Sequence, residues 1–312
     1  MKKLLRVVLA IVVVLVAIVA VGALYISNKS LPNYQADIPA PQLSITATPE
    51  MELQGKALAY QACAGCHKHN QEQFAGGAFE DVAANATFGT IYVPNITQHA
   101  EYGIGRYTDG ELYRLLRTGI KKDGTLMLPV MPIWPNAAEE DIHAIIAYFR
   151  SNDPAVLSVA KKPEVYQPSL LATFLQNVVF APTPFQDSYP EKRPAVTNAV
   201  DYGEYLVNDA LGCYHCHSAG LDSWDLLNPE NTPGHLRGGA VFQLPDYQVT
   251  APSIIPDGSA ELTNWSEDEF IGAIKHGVRP GKPAYRYPMH PYPYLDTIEV
   301  KAMLQYLQSY AA

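Results

Sequence analysis

The sequence predicts a mainly α-helical protein, with an N-terminal transmembrane helix followed by two copies of one small helical domain. Three observations predict it. A twenty-residue run, Val7 to Ile26, carries no charge. All four cysteines fall in two strings of one form, Cys63-Ala64-Gly65-Cys66-His67 and Cys213-Tyr214-His215-Cys216-His217. The sequence around one string repeats, block by block, around the other.

The apolar run comes first. At helical rise, twenty residues cover about 30 Å, one hydrocarbon thickness. Lys2, Lys3 and Arg6 precede it, and positive flanks stay in the cytoplasm. The expectation is a single-pass anchor over residues 1–28 in the inner (cytoplasmic) membrane, with the bulk of the chain on the periplasmic side. A cleaved signal peptide is the competing reading, with Val21-Gly22-Ala23 as its cleavage site. The run is long for a signal core, which favours the retained anchor. Residues 29–49 then read as a linker.

Composition bounds the rest. A length of 312 residues suggests about two domains. The 48% apolar content is enough for ordinary cores, and 25 prolines and 21 glycines point to much irregular backbone. The net charge of −9 argues against nucleic acid as a partner.

The two cysteine strings are C-x-x-C-H, the attachment pattern of c-type haem. Two thiols add across the haem vinyl groups, and the histidine that follows supplies the proximal nitrogen to iron. The alternatives are two structural disulfides or one zinc site made of two C-x-x-C halves. Neither explains a histidine directly after both strings. The cofactor expected is therefore two covalently attached haem c groups, with iron as the metal.

The repeat places the domains. Gly55-Lys56 and Gly203-Glu204 precede the two strings; Gly76-Gly77-Ala78 and Gly238-Gly239-Ala240 follow them. Pro94-Asn95-Ile96 answers Pro252-Ser253-Ile254. Thr108 to Glu111 answers Ser266 to Glu269, each a capping box that opens a helix. Those helices are expected to end at Gly119 and Gly277. Amphipathic helices over Ala137–Arg150 and Asp296–Tyr310 close the two units. The domains expected are 50–150 and 198–312, joined by a proline-rich linker at 151–197. The apolar middle of that linker, Ser169 to Phe180, reads as a short helix lying on a domain surface.

An iron that only passes electrons needs a second axial ligand, and methionine is the usual one. Met131 lies 17 residues before Tyr148, and Met289 lies 17 before Tyr306. Met127 has no such counterpart, because Tyr285 stands at its matching position. Met131 and Met289 are therefore the expected ligands, in proline-flanked loops that hold sulfur at small entropic cost. His290 is a rival to Met289. His215 is expected to face outward, and His69, His99, His143, His235 and His276 have no matched partner. Arg106 or Arg117, and Arg237 or Arg279, are candidates to pair with propionates, against the simpler reading of solvated surface arginine. Tyr107 and Trp265 occupy matching positions beside the cofactors or in ordinary cores.

These residues resemble the membrane-anchored dihaem c-type cytochromes built from two tandem class I cytochrome c domains. The likeness is to cytochrome c subunits of membrane-bound alcohol and gluconate dehydrogenases. It is carried by Tyr205-Leu206-Val207 before a haem string, by Pro94 to Thr97, and by a Met-Pro loop followed by the Asp141 to Tyr148 helix. Such subunits usually carry three haems where this chain has two strings, and His290 stands where Met-Pro is expected. The resemblance implies an electron-transfer protein rather than an enzyme. The partners it implies are redox proteins: a dehydrogenase, a quinol-oxidising complex, a terminal oxidase or another cytochrome. The alternative is a peroxidase-like dihaem enzyme, which needs one iron with an open or displaceable distal site.

Overall fold

The computed structural model describes residues 2–68, 71–220, 223–258 and 260–311. It is mainly helical. His69 lies outside the described residues.

Helix α1 (Lys2–Asn28) is the one helix, among the described residues, long and apolar enough to cross a membrane. Its described side chains are largely exposed, from Leu4 to Tyr25. The segment after it is stitched down. Asn33 donates its side-chain amide to the Asp123 carbonyl at 2.8 Å, and the Tyr34 N–H bonds the Gly124 carbonyl at 2.8 Å. Leu43 and Ile45 pack on the first hydrophobic core.

That core is built on α2 (Pro49–Ala62), α3 (Ala64–His67), α5 (Asp109–Thr118) and α6 (Glu139–Arg150). Thr108 caps α5 and Glu111 bonds back to it, which satisfies the orphan N–H groups of the first turn. Gly119 ends α5 in the left-handed region at φ 78°. Between these helices lies α4 (Val82–Phe88), with β1 (Gly77–Ala78), β2 (Gly89–Thr90) and β3 (Tyr92–Val93). β1 pairs antiparallel with β3, Gly77 opposite Val93.

The second core repeats the plan. It is built on α8 (Ala199–Tyr205), continued as a π-helical turn over Leu206–Ala210, with α9 (Glu267–His276) and α10 (Thr297–Ala311). Ser266 and Glu269 form the second capping box, and Gly277 ends α9 at φ 72°. α2 crosses α6 as α8 crosses α10. The crossing is tight enough to require glycine: a Cβ on Gly55 would sit 1.8 Å from the Ala144 carbonyl oxygen, and one on Gly203 would sit 2.0 Å from that of Ala302.

The repetition extends to single hydrogen bonds. Gly76 N–H to His67 O (2.9 Å) matches Gly238 N–H to His217 O (2.8 Å). Ile96 to Phe74 matches Ile254 to Leu236, both at 2.9 Å; Trp134 to Leu116 matches Tyr292 to Ile274, both at 2.8 Å. Met127 to Gly119 (2.9 Å) matches Tyr285 to Gly277 (3.0 Å).

The 151–197 segment is not a loose tether. β4 (Gln167–Pro168) pairs antiparallel with β2, and α7 (Leu170–Val178) follows where a short helix is expected. Further on, the Glu139 N–H bonds the Pro190 carbonyl at 2.8 Å. Arg193 then reaches both halves, meeting Asp141 of α6 at 2.8 Å and Glu299 of α10 at 3.0 Å. The Trp134 indole N–H also donates to the Ala210 carbonyl at 3.1 Å.

Candidate cofactor-attachment sites

Each C-x-x-C-H string is wound into a single turn. The His67 N–H bonds the Cys63 carbonyl at 2.9 Å, and the His217 N–H bonds that of Cys213 at 2.9 Å. One turn keeps both cysteines of a string and the following histidine on neighbouring positions of a single coil of backbone. All four cysteines are free, with Cys63 buried, Cys213 half-buried, and Cys66 and Cys216 exposed. The two structural disulfides of the alternative reading are not formed. Among the described residues, no group of three or more His, Cys, Asp or Glu could hold a metal ion by itself.

Burial pushes Cys63 and Cys213 up to about 12 and raises Cys216 as well, and the nearby Cys66 adds to the upward shift of Cys216. Cys66 and Cys216 therefore lie within electrostatic reach of each other. Tyr287, in the second methionine loop, feels both of them and is raised, by burial first.

The histidines carry the sharpest geometry. His67 Nδ1 is 2.9 Å from the Pro94 carbonyl, and His217 Nδ1 is 2.8 Å from the Pro252 carbonyl. A carbonyl can only accept, so Nδ1 carries the hydrogen and Nε2 keeps its lone pair. Burial pushes His67 down to about 4, and His217 down as well, so both stay in the ligating form. The Pro94 and Pro252 blocks were matched in sequence, but their role as the carbonyls that orient the imidazoles emerges only from the fold. This is the orientation that a metal-binding imidazole requires. The residues fit a covalently attached haem.

Met131 is half-buried and packs on the same core as Cys63. With Met127, Leu126 and Leu128 it lines a cavity of about 230 Å³ that also meets His215 and Trp224 of the other half. Met289 is half-buried in a loop whose Tyr292 packs with Cys213 on the second core. The His290 Nε2 lies 2.9 Å from the Gln61 carbonyl, two residues before Cys63.

Two other expectations, on His215 and Arg117, need correction. His215 does not face outward; its ring packs against Tyr214 at 4.2 Å and edge-on to Trp224 at 4.8 Å, and burial lowers its pKa to about 4. Arg117 is not a solvated arginine. It is fully buried, donates to the Trp134 and Ala137 carbonyls at 3.1 and 2.6 Å, and lies 3.8 Å over the Tyr189 ring. Arg237 and Arg279 pair with Asp257 and Glu261 at 2.6 and 2.8 Å, while Arg106 is exposed. His235 is a core residue held by Asn208 and Tyr310. Tyr107 and Trp265 each pack on their own core.

No protein-family model matches the chain. Curated relatives do. The chain is 34% identical over 223 residues to an alcohol dehydrogenase (quinone) cytochrome c subunit of Gluconacetobacter polyoxogenes, covering 69% of this chain and 45% of the relative. It is 27% identical over 271 residues to a fructose dehydrogenase cytochrome subunit of Gluconobacter japonicus, covering 83% and 52%. It is 28% identical over 264 residues to a gluconate 2-dehydrogenase cytochrome c subunit of Pantoea cypripedii, covering 80% and 57%. The chain spans about half the length of these relatives. Its homologues are thus cytochrome subunits of alcohol, fructose and gluconate dehydrogenases.

Proposed function

We propose that this homologue of dehydrogenase cytochrome subunits is a dihaem c-type cytochrome passing single electrons on the periplasmic side of a membrane. Cys63 and Cys66 would hold one haem by thioether bonds, with His67 and Met131 as donors to its iron. Cys213, Cys216, His217 and Met289 would hold the second. The haem would supply one-electron chemistry at its iron, with a thioether donor raising the potential. The chain's own part is orientation: the Pro94 and Pro252 carbonyls fix the two imidazoles, and proline-flanked loops hold the two sulfurs with little entropy to lose.

The observation that carries this reading is the pair of Nδ1–proline carbonyl bonds at matched positions, each directly after a C-x-x-C string. The matched backbone bonds support two tandem class I cytochrome c domains at 50–150 and 198–312. Residues 1–28 are the membrane anchor in this reading. The relatives' names favour a dehydrogenase as electron donor, with an oxidase or another cytochrome as acceptor.

The test is intact-mass and haem-content measurement on protein purified from its native membrane. Two haems per chain are expected, falling to one in either the Cys63→Ala/Cys66→Ala or the Cys213→Ala/Cys216→Ala variant. One haem or none in the unaltered protein would overturn the proposal. Carbon monoxide is expected to leave the reduced spectrum unchanged; a shift would expose an open iron and favour the peroxidase-like enzyme.

A further inference from the structure

We propose that α7 is a second membrane contact, a helix lying flat in the boundary between lipid headgroups and acyl chains beside α1. This rests on reading α1 as a retained membrane span. Helix α7 is amphipathic the wrong way round for water. Leu170, Leu171, Phe174 and Val178 fall on one helical face and are 60, 51, 43 and 59% exposed. On the opposite face Ala172 and the polar Gln176 are buried. A surface helix in water puts its apolar stripe inward. No charged residue occurs from Val165 to Gln186, so nothing in this stretch opposes entry into an interface.

The helix cannot roll to hide that face. Ser169 caps it, accepting from the Ala172 N–H at 2.9 Å and donating to the Thr87 carbonyl at 2.6 Å. The β2–β4 pairing and the Tyr166 hydroxyl, 2.6 Å from the Phe88 carbonyl, hold the approach.

What covers the face is indicated by α1. The two helices lie against each other, and the Tyr34 hydroxyl donates to the Phe180 carbonyl at 3.4 Å, just beyond α7. α1 ends at Asn28, and six extended residues reach about 20 Å at most. If α1 spans a bilayer, α7 is obliged to sit at its surface. The exposed apolar face of α7 then continues the apolar surface of α1. Two attachment points fix the tilt of the body over the membrane, where one helix alone would leave it free to swivel.

The test uses the full-length haem-loaded protein in vesicles of phosphatidylethanolamine and phosphatidylglycerol. The photo-crosslinker p-benzoylphenylalanine replaces Phe174, or Leu171 as a second variant. Leu24 on α1 reports the anchor, and Val278, exposed after α9, reports background. An unchanged haem spectrum certifies each variant's fold. Lipid adducts are expected at 24 and at 174 or 171, at least about tenfold above those at 278. Adducts at 24 with only background at 174 and 171 would overturn the α7 contact and leave the anchor standing. Background at 24 as well would sink both. Crosslinking of 174 to a protein chain in native membranes would also overturn the proposal, assigning the face to a partner subunit.

Discussion

At the scale of single residues, the informative side chain is His290. It stands next to Met289, and imidazole is as good a haem ligand as thioether. Its Nε2, however, is 2.9 Å from the Gln61 carbonyl and its Nδ1 is 3.3 Å from the Pro288 carbonyl. The shorter contact takes the N–H, so the ring ties the second methionine loop to the helix that leads into the first cysteine string. Nearby, Tyr60 and Tyr294 pack at 4.9 Å across the same seam. The consequence is a split between two adjacent substitutions. Met289→Ala is expected to remove about half of the red charge-transfer absorption that ferric haem shows only with a thioether ligand. His290→Ala is expected to keep all of it, and to alter only contacts between the two halves. The opposite pattern in the oxidised spectrum would make His290 the ligand.

At the scale of elements, the same substitution should act with opposite signs on two helices. Gly→Ala in a helix interior ordinarily stabilises by ~0.5–1 kcal/mol through lower chain entropy. Gly272 in α9 has nothing within 4 Å of a built Cβ, so Gly272→Ala should gain that amount. A Cβ built on Gly203 in α8 would meet the Ala302 carbonyl oxygen at 2.0 Å and the Tyr306 Cβ at 2.9 Å. Backbone cannot yield as a side-chain tip can, so Gly203→Ala should destabilise by ~1–3 kcal/mol, as overpacked cores do. Thermal unfolding followed by circular dichroism reads both. Two destabilised variants would mean that the Gly272 site is less open than its surroundings indicate. This contrast marks what was legible in the sequence. The capping boxes, the C-terminal glycines and the pairing of Gly55 with Gly203 are local signals, and they landed where they were expected. Whether a helical glycine faces a crossing backbone or open water is not local. The burial of Arg117 and the inward turn of His215 were missed for the same reason. Their composition says surface, while their fate is set by which elements close over them.

At the scale of the whole molecule, the two halves are held by a residue from the segment between them. Arg193 donates Nε to both oxygens of Asp141, at 2.8 and 2.9 Å, and Nη1 to Glu299 at 3.0 Å. Asp141 is on α6 with its side chain 2% exposed, and it also receives the Gln54 amide and the Tyr205 hydroxyl. One carboxylate therefore collects donors from α2, α8 and the linker, and Arg193 carries the network across to α10. No sequence pattern announces this clamp, because its members lie far apart in the chain and only the docking of the halves assembles them. Replacing such a pair by apolar groups of matched volume is often nearly neutral, whereas removing one partner leaves a buried charge and costs ~3–5 kcal/mol. Arg193→Met should fall in the second class, since Asp141 would lose its only cation among the described residues. The loss should appear as uncoupling: two thermal transitions in calorimetry where the unaltered protein gives one. Arg193→Met/Asp141→Asn removes the stranded charge and should recover part of the stability. A single transition at an unchanged temperature in Arg193→Met would mean that the Trp134–Ala210 and His290–Gln61 contacts hold the halves together without the clamp.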